Sequence, residues 1–315
     1  MPDEHRTLVT GAFGCLGAWT LKALLDLGEE PVGFDLPGSD DARLRLVLSE
    51  AERARVTLVD GDVTDPGAVG SALDDHAITN VVHLAALQVP FVRADPDRGA
   101  RVNVHGTVVV FEAIKARLNR IRGLSYASST AVYNASDHSP APESGGTAPT
   151  TLYGVFKLAN EGTARVYWHD DDVASIGIRP YIVYGPGRDQ GLTSGPSLAM
   201  EAAARGAGYT IAYGGTAQYD FAPDVGRGFA LAARAAHEGA FVANFPGVPS
   251  TMQEVVDAIE AAAPDVAGKV FWEEGQLPFP ESLEGRQLER LIGPFTPTPL
   301  GEGVRATIER YRSPV

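Results

Sequence analysis

Short apolar runs alternate with longer stretches of helical spacing along the first part of the chain. The short runs are rich in β-branched or apolar residues, which is typical of buried parallel strands, whereas the longer stretches indicate amphipathic helices. The predicted strands are 7–10, 31–34, 56–59, 80–84, 121–127 and 173–178, and the predicted helices are 16–27, 42–53, 95–118 and 152–168. This alternation predicts an α/β fold with a doubly wound parallel sheet.

The pattern is less regular beyond residue 186, where the predicted helices are 197–205, 252–263 and 301–311. We expect residues 1–186 to form the sheet domain and residues 187–315 to form mainly a smaller, substrate-binding domain. The chain is expected to cross back to the sheet domain at about 209–245. The loop 134–151, rich in Pro, Ser, Gly and Thr, is expected to lie over the mouth of the crevice, and the loop 191–196 is placed to close over the substrate.

The first predicted strand runs straight into a turn with glycines at positions 11, 14 and 17. Such a turn lets the backbone N–H groups and the N-terminus of the next helix face a pyrophosphate, although a turn that only needs positive φ remains an alternative. The second strand ends at Asp35, where a carboxylate would accept hydrogen bonds from an adenosine ribose. Because an acid there repels a 2′-phosphate and no Arg follows directly, NAD is favoured over NADP.

Composition narrows the classes of partner. The 315 residues are 44% hydrophobic and carry a net charge of −14, which argues against nucleic acid and anionic membranes and mildly against a polyanionic substrate. No run approaches the roughly 18 apolar residues of a membrane span, so we expect a cytoplasmic protein. The single cysteine, Cys15, is expected to be a small buried side chain. His83 lacks partners at metal-ligand spacing, which favours a packed histidine and no metal.

The candidate chemistry follows the fifth strand. Hydroxyl side chains at positions 128–130 come at the carboxyl end of that strand, where a sheet of this kind binds its ligand. Tyr153 and Lys157, four residues apart, lie on one face of the next helix. A neighbouring ammonium would lower the pKa of the phenol and allow it to act as a base near neutral pH. Tyr-x-x-x-Lys occurs by chance in many helices, but its position after these hydroxyl groups makes it specific.

Three further features remain open. In the segment 60–65, the two roles open to the carboxylates are contact with an adenine amino group and capping of the following helix, and the sequence favours neither. Asn103 stands in an otherwise apolar stretch and needs a hydrogen-bonding partner. The small residues that follow His83 would let the backbone pass close under a ligand.

Together these motifs resemble the extended short-chain dehydrogenase/reductases, the NAD-dependent epimerase/dehydratase family, over about the first 230 residues. The resemblance implies a Rossmann domain, NAD, a homodimer built from helices 95–118 and 152–168, and a catalytic triad of Ser129, Tyr153 and Lys157. The implied cofactor contacts are Gly11, Phe13, Gly14, Cys15, Leu16, Gly17, Asp35, Asp62, Val63, Leu84, Ala85, Ala86, Asn103, Ala127, Tyr153, Lys157, Tyr181, Ile182 and Val183. The implied substrate contacts are Gln88, Ser129, Thr130, Tyr153 and Arg188.

Departures from the family pattern bear on the reaction. Ile182 stands where nucleotide-sugar enzymes of the family carry an Asn that contacts the diphosphate, and no Arg precedes Asp220 and Phe221. Thr130 and Ala131 replace the Asp-Glu pair of the dehydratases, so dehydration is not expected. We therefore expect an oxidoreductase or epimerase that acts on a sugar, sugar acid or polyol without a nucleotide. The alternatives are a UDP-sugar 4-epimerase and a non-catalytic NAD(H) sensor.

Overall fold

The computed structural model describes residues 5–135 and 137–313. Residues 1–4, 136, 314 and 315 lie outside the described residues. The strands are β1 Thr7–Thr10, β2 Val32–Asp35, β3 Thr57–Asp60, β4 Asn80–His83, β5 Gly123–Ala127, β6 Ser175–Arg179, β7 Ile182–Tyr184, β8 Tyr209–Ile211, β9 Thr216–Phe221, β10 Ala240–Asn244, β11 Val248–Thr251 and β12 Val270–Trp272. The helices are α1 Cys15–Asp26, α2 Ala42–Val47, α3 Glu50–Arg53, α4 Pro66–Asp75, α5 Val89–Ala94, α6 Pro96–Ala100, α7 Gly106–Lys115, α8 Leu152–Asp171, α9 Gly195–Ala204, α10 Ala222–Arg234, α11 Met252–Ala262, α12 Arg286–Ile292 and α13 Leu300–Arg312.

The main sheet has seven parallel strands in the order β10-β6-β5-β4-β1-β2-β3. The chain starts in the middle at β1, adds β2 and β3 on one side, and then adds β4, β5 and β6 on the other. The β1, β4 and β6 strands are buried throughout, which is typical of a parallel sheet covered by helices on both faces. The prediction of a doubly wound parallel sheet is therefore confirmed, and β1 marks the point where the strand order reverses.

Helices cover both faces of this sheet. Apolar residues of α1, α2 and α10 form one core with the sheet, and apolar residues of α4 and α7 form another on the opposite face. A third core lies among β7, β9, α9, α11 and α13, around the three-stranded sheet β11-β9-β7. The β10 strand pairs with β6, and α10 packs on α1, so this part of the chain returns to the main sheet. The boundary placed at residue 186 stays a prediction.

Two predicted helices are interrupted in the structure. The helix expected at 42–53 is split into α2 and α3, because Leu48 is extended and buried, and Ser49 starts α3 with a capping box to Glu52. The helix expected at 95–118 contains a π-helical turn, Arg101–His105, between α6 and α7. Asn103 lies in this turn, and its side-chain amide binds both backbone groups of Leu87 at 2.7 and 2.8 Å.

The loop 134–151 was expected over the crevice, and this expectation is wrong for its described residues. Ala141 instead pairs with Leu283, and the Glu143 carboxylate accepts hydrogen bonds from Gln287 N at the start of α12 and from Asn244 N. These backbone bonds draw the loop onto the segment before α12. No helix within the described residues is long and apolar enough to cross a bilayer.

Candidate active site

A cleft of about 930 Å³ opens at the carboxyl ends of the central strands. Its walls come from the glycine turn after β1, the residues after β2, β4 and β5, and the first turns of α8. Ligands of open α/β sheets bind at this edge, where the strand order reverses. Residues far apart in the sequence therefore meet in one cavity because the sheet gathers its strand ends there.

Two glycines of the turn leave no room for a side chain. Gly11 has a φ of +73°, and a Cβ there would lie 2.8 Å from Ala85 N. A Cβ on Gly17 would lie 2.1 Å from Gly11 O, so this glycine lets α1 pack against the turn. Gly14 is the N-cap of α1 and has no side chain to bind the first N–H groups of the helix, which fits a pyrophosphate ligand at this place. All five residues from Phe13 to Gly17 line the cleft.

Asp35 lines the cleft at the end of β2, as predicted. Its Oδ2 accepts a hydrogen bond from Phe13 N and its Oδ1 accepts one from Leu36 N, both at 2.8 Å. A carboxylate can accept about four hydrogen bonds, so lone pairs remain for the hydroxyls of a ribose. The Asp35 carboxylate thus ties the glycine turn to β2 and fits the adenosine end of NAD.

Replacing Asp35 by Ala is expected to weaken NAD binding roughly 10- to 100-fold, because hydrogen bonds to a charged group contribute about 1.5–3 kcal/mol. Titration of the purified protein with NAD, followed by calorimetry, measures this change. Asp60→Ala, at the same end of the neighbouring strand β3 but outside the cleft lining, is the matched control. An unchanged NAD affinity in the Asp35 variant would exclude the predicted ribose contact.

The residues after β4 form the floor of the cleft. Leu84 N and Ala85 N donate to the hydroxyl of Thr10, at 3.2 and 3.3 Å, and His83 Nδ1 lies 2.8 Å from the same oxygen. Burial lowers the pKa of His83 to about 3, so the ring is neutral. His83 is a packed, hydrogen-bonded histidine in the structure, and it supports the backbone that lies under the ligand.

The three predicted catalytic residues all line the cleft. Ser129 follows β5, and its hydroxyl accepts a hydrogen bond from Ala131 N at 3.1 Å. The Thr151 side chain caps α8, and Tyr153 and Lys157 lie in the first two turns of this helix. Lys157 Nζ donates to Ala127 O at 2.7 Å and lies 5.6 Å from the centre of the Tyr153 ring.

A close approach of backbone to backbone holds α8 against the end of β5. A Cβ on Gly154 would lie 2.0 Å from Ala131 O, so only glycine allows the first turn of α8 to sit there. This contact is next to Tyr153 in the sequence, and it brings the phenol to the serine that follows β5. The local reason for the geometry is therefore a single glycine in the helix.

The pKa values of Tyr153 and Lys157 differ from the expectation drawn from the sequence. Burial raises the pKa of Tyr153, while a hydrogen bond with Ser129 and the charge of Arg188 act in the opposite direction. Burial also lowers the pKa of Lys157, to about 8, against the opposing charge of Glu161. The expected lowering of the Tyr153 pKa by Lys157 is thus wrong for this structure, because desolvation of the phenol outweighs the favourable charges.

Most predicted cofactor residues line the cleft, and two do not. The Ile182 side chain is buried in the core around β7, since alternate residues of a strand face opposite sides and Tyr181 and Val183 take the cleft side. Asn103 is buried and binds the backbone of Leu87, so it positions the cleft floor without lining the cleft itself. The remaining cleft-lining members are Asp62, Val63, Leu84, Ala85, Ala86 and Ala127.

One of the two roles considered for the carboxylates of segment 60–65, the capping of the following helix, is seen in the structure. Asp65 caps α4 by accepting a hydrogen bond from Gly67 N at 2.8 Å. Asp62 lines the cleft, and its Oδ1 accepts two bonds from Thr64, one from the backbone and one from the hydroxyl. The capping role therefore belongs to Asp65, and the contact of Asp62 with an adenine stays a prediction.

Gln88, Thr130 and Arg188 also line the cleft, as predicted for substrate residues. Sequence reasoning missed Phe279 and the ion pair between Arg43 Nη2 and Asp189 Oδ1 at 2.7 Å. The predicted loop 191–196 supplies Leu192 and Thr193. Phe279 comes from a loop without periodicity, so no local signal marks it. Within the described residues no cluster of His, Cys, Asp or Glu is placed to hold a metal ion.

Comparisons with known proteins agree with this geometry. Residues 7–243 match the model of a family described as NAD dependent epimerase/dehydratase. A UDP-glucose 4-epimerase from Mycolicibacterium smegmatis is 31% identical over 317 residues, which cover 98% of this chain and 99% of that protein. The crystal structure of UDP-glucose 4-epimerase from Thermus thermophilus in complex with NAD has a TM-score of 0.81 and 26% identity, and the match covers 98% of this chain and 100% of that one.

Another relative matches over a shorter region. UDP-glucuronate 4-epimerase 1 from Arabidopsis thaliana is 34% identical over 187 residues, which cover 57% of this chain. The match covers only 42% of the plant protein, so this chain spans less than half the length of that relative.

Proposed function

The chain belongs to the NAD-dependent epimerase/dehydratase family, and from this premise we propose that it is an NAD-dependent oxidoreductase or epimerase. Its substrate is a sugar, a sugar acid or a related polyol, which reacts at a hydroxyl or carbonyl group. Family membership confirms the resemblance seen in the sequence, and it confirms NAD as the cofactor. The observation that carries the proposal is the meeting of Ser129, Tyr153 and Lys157 on one wall of the cleft that the glycine turn enters.

Each of the three residues has a separate role in this proposal. Tyr153 exchanges a proton with the oxygen of the reacting carbon, and the Ser129 hydroxyl holds that oxygen by a hydrogen bond. Lys157 holds a positive charge beside the phenol and binds the nicotinamide ribose. NAD, when bound, accepts or returns the hydride.

Two positions at which nucleotide-sugar enzymes of the family contact the diphosphate offer no such contact here, which supports a substrate without a nucleotide. Ile182 lies in the core, and Tyr219, which precedes Asp220, is 2% exposed and does not line the cleft. A charge-assisted hydrogen bond to a diphosphate contributes roughly 1.5–3 kcal/mol, and neither position offers one. A UDP-sugar 4-epimerase is the second candidate, supported by the relative from M. smegmatis that matches over nearly the whole chain.

The decisive experiment combines nucleotide extraction with a substrate panel. The purified protein is extracted for bound nucleotide and then incubated with NAD and with free sugars, sugar acids, polyols and UDP-sugars, while NADH absorbance and product configuration are followed. Net NADH with a free sugar acid or polyol identifies a dehydrogenase. Inverted configuration without net NADH identifies an epimerase, and inversion of UDP-sugars only would favour the second candidate. No turnover on any member of the panel would count against the proposal.

We further propose that the protein acts as a cytoplasmic homodimer through the outer face of α8. Leu152, Val155 and Val166 lie on this helix and are 49%, 45% and 55% exposed. Exposed apolar side chains that share a helix face mark protein contact surfaces.

Replacing both Val155 and Val166 by Glu is expected to convert the dimer to a monomer, because the charges would have to be buried at the interface. Light scattering after size-exclusion chromatography measures the mass. Leu58→Glu, an equally exposed apolar residue on β3, is the control and should leave the mass of the assembly unchanged. A wild-type protein that runs as a monomer would exclude this interface.

A further inference from the structure

Arg188 is a partly buried cation on the cleft wall that has no carboxylate partner among the residues the structure describes. Its Nη1 lies 3.3 Å from Gln88 Oε1 and its Nη2 lies 3.4 Å from Thr193 Oγ1. Both distances exceed the usual range for N–H···O bonds, and Nε is buried without any partner. A guanidinium left so poorly paired is unfavourable unless a ligand completes its hydrogen bonds.

The other cations of the described cleft lining are already engaged or exposed. Arg43 pairs with Asp189 at 2.7 Å, and Arg101 pairs with Asp97 at 2.8 Å. Lys157 donates to a backbone oxygen deep in the site, and Arg98 is exposed at the rim. Arg188 is therefore the cation that remains for a ligand beside the catalytic residues.

Two neutral hydrogen-bond donors, the Gln88 amide and the Thr193 hydroxyl, lie next to Arg188. Neither the Gln88 amide N–H₂ nor the Thr193 hydroxyl donates a hydrogen bond to any described residue. Gly191 keeps these groups close, since its φ is +100° and a Cβ there would lie 2.1 Å from Gln88 Oε1. Arg188, Gln88 and Thr193 thus form a donor cluster on the cleft wall, which we call the Arg188 cluster.

We propose that the Arg188 cluster binds the carboxylate of the substrate, so that the substrates are sugar acids or related polyhydroxy acids. This inference rests on the proposed function and narrows its substrate class. One guanidinium offers two parallel N–H groups that match a carboxylate, and the amide and hydroxyl can complete the four acceptor sites of that group. A diphosphate would bring a second charge, whereas the other cations of the described cleft lining are paired with a carboxylate, bound to a backbone oxygen or exposed at the rim.

The position of the cluster agrees with a substrate that reacts at Tyr153. The positive charge of Arg188 acts to lower the pKa of Tyr153, which places the guanidinium within electrostatic reach of the phenol. A carboxylate bound there lies at one end of a small substrate while another carbon faces the catalytic residues. Burial raises the pKa of Cys15 in the glycine turn, and the charge of the same guanidinium opposes this shift, so the pyrophosphate of the cofactor is the competing anion for the test.

The test separates the carboxylate from the diphosphate with four probes: glucose, glucuronate, UDP-glucose and UDP-glucuronate. Protein loaded with NADH is titrated with each probe. NADH cannot accept a hydride from the hydroxyl group of a substrate, so binding is measured without turnover. The proteins compared are wild type, Arg188→Gln, Arg188→Lys and the control Arg205→Gln, whose exposed arginine directly follows α9. Affinity for NADH itself is measured first for each variant, and it also reports that the variant is folded.

We expect Arg188→Gln to weaken glucuronate and UDP-glucuronate roughly 10- to 100-fold and to leave glucose and UDP-glucose within roughly 3-fold. Arg188→Lys should keep part of the affinity, since it keeps the charge but loses the paired N–H groups. Arg205→Gln should match wild type with all four probes.

Three results would overturn the proposal. In the first, the loss follows the UDP group and not the carboxylate, which assigns Arg188 to a diphosphate. In the second, NADH affinity falls while the preference for carboxylates is unchanged, which assigns Arg188 to the cofactor. In the third, wild type shows no preference for either carboxylate probe. A different result would overturn the proposed function itself: turnover that does not depend on Tyr153, whichever of the four probes binds.

Discussion

Tyr153→Phe is expected to lower turnover roughly 10²- to 10⁴-fold, because the proton transfer at the substrate oxygen loses its acid and base. The phenylalanine keeps the ring that packs beside Lys157, 5.6 Å from its ammonium, and leaves the glycine turn unchanged. Affinity for NAD should therefore stay within roughly 3-fold of wild type, since the glycine turn, Asp35 and Lys157 are unchanged and only the phenol oxygen is removed. Single-turnover rates with the substrate found in the panel, together with NAD titration, measure both quantities.

The control for this substitution is Tyr209→Phe, which removes a phenol from β8 outside the cleft lining and should leave turnover unchanged. If Tyr153→Phe retained wild-type turnover, proton transfer by Tyr153 would be excluded. If wild type bound NAD but neither wild type nor the variant turned over any substrate, the protein would be an NAD(H) sensor, the non-catalytic alternative. Removal of the phenol oxygen of Tyr153 thus distinguishes an enzyme from a protein that only binds NAD(H).

The parts of the site that sequence reasoning found are those fixed by local geometry. Gly11 and Gly17 lie in a strand–turn–helix segment where a Cβ would come within 2.8 and 2.1 Å of backbone atoms, so their spacing alone carries the signal. Asp35 ends the adjacent strand, and parallel neighbours place strand ends side by side. Tyr153 and Lys157 share a helix face because they are four residues apart. Each prediction required only one element and its neighbour.

The parts that sequence reasoning missed depend on distant segments. Arg43 and Asp189 pair across 146 positions, and nothing in either segment marks its partner. The loop 134–151 has the composition of a cleft loop, yet Glu143 binds the backbone at the start of α12, and that contact decides where the loop lies. The raised pKa of Tyr153 also needs the fold, since spacing reports the nearby lysine but not the burial that outweighs it.

A buried ion pair lies directly behind the catalytic residues. Glu161 follows Lys157 by one turn of α8 and accepts hydrogen bonds from Arg179 Nε and Nη2, both at 2.7 Å. The Ser128 hydroxyl donates to the same carboxylate, next to Ser129. The side chains of Arg179 and Glu161 are only 4% and 8% exposed. This pair therefore joins β6, the end of β5 and the catalytic helix in a region with little water.

Glu161→Gln is expected to lower the free energy of unfolding by about 3–5 kcal/mol, because Arg179 would remain charged and buried without its partner. The exposed pair Arg205–Glu201 provides the matched control: its side chains are 69% and 23% exposed, and Glu201→Gln should cost less than about 1 kcal/mol. Urea unfolding of wild type and both variants measures the difference. The double variant Glu161→Leu, Arg179→Met removes both charges and should recover much of the loss, since desolvation of the pair offsets most of its attraction. Equal losses in Glu161→Gln and Glu201→Gln would show that the buried arginine is compensated by other groups, such as the Tyr133 hydroxyl that it also contacts.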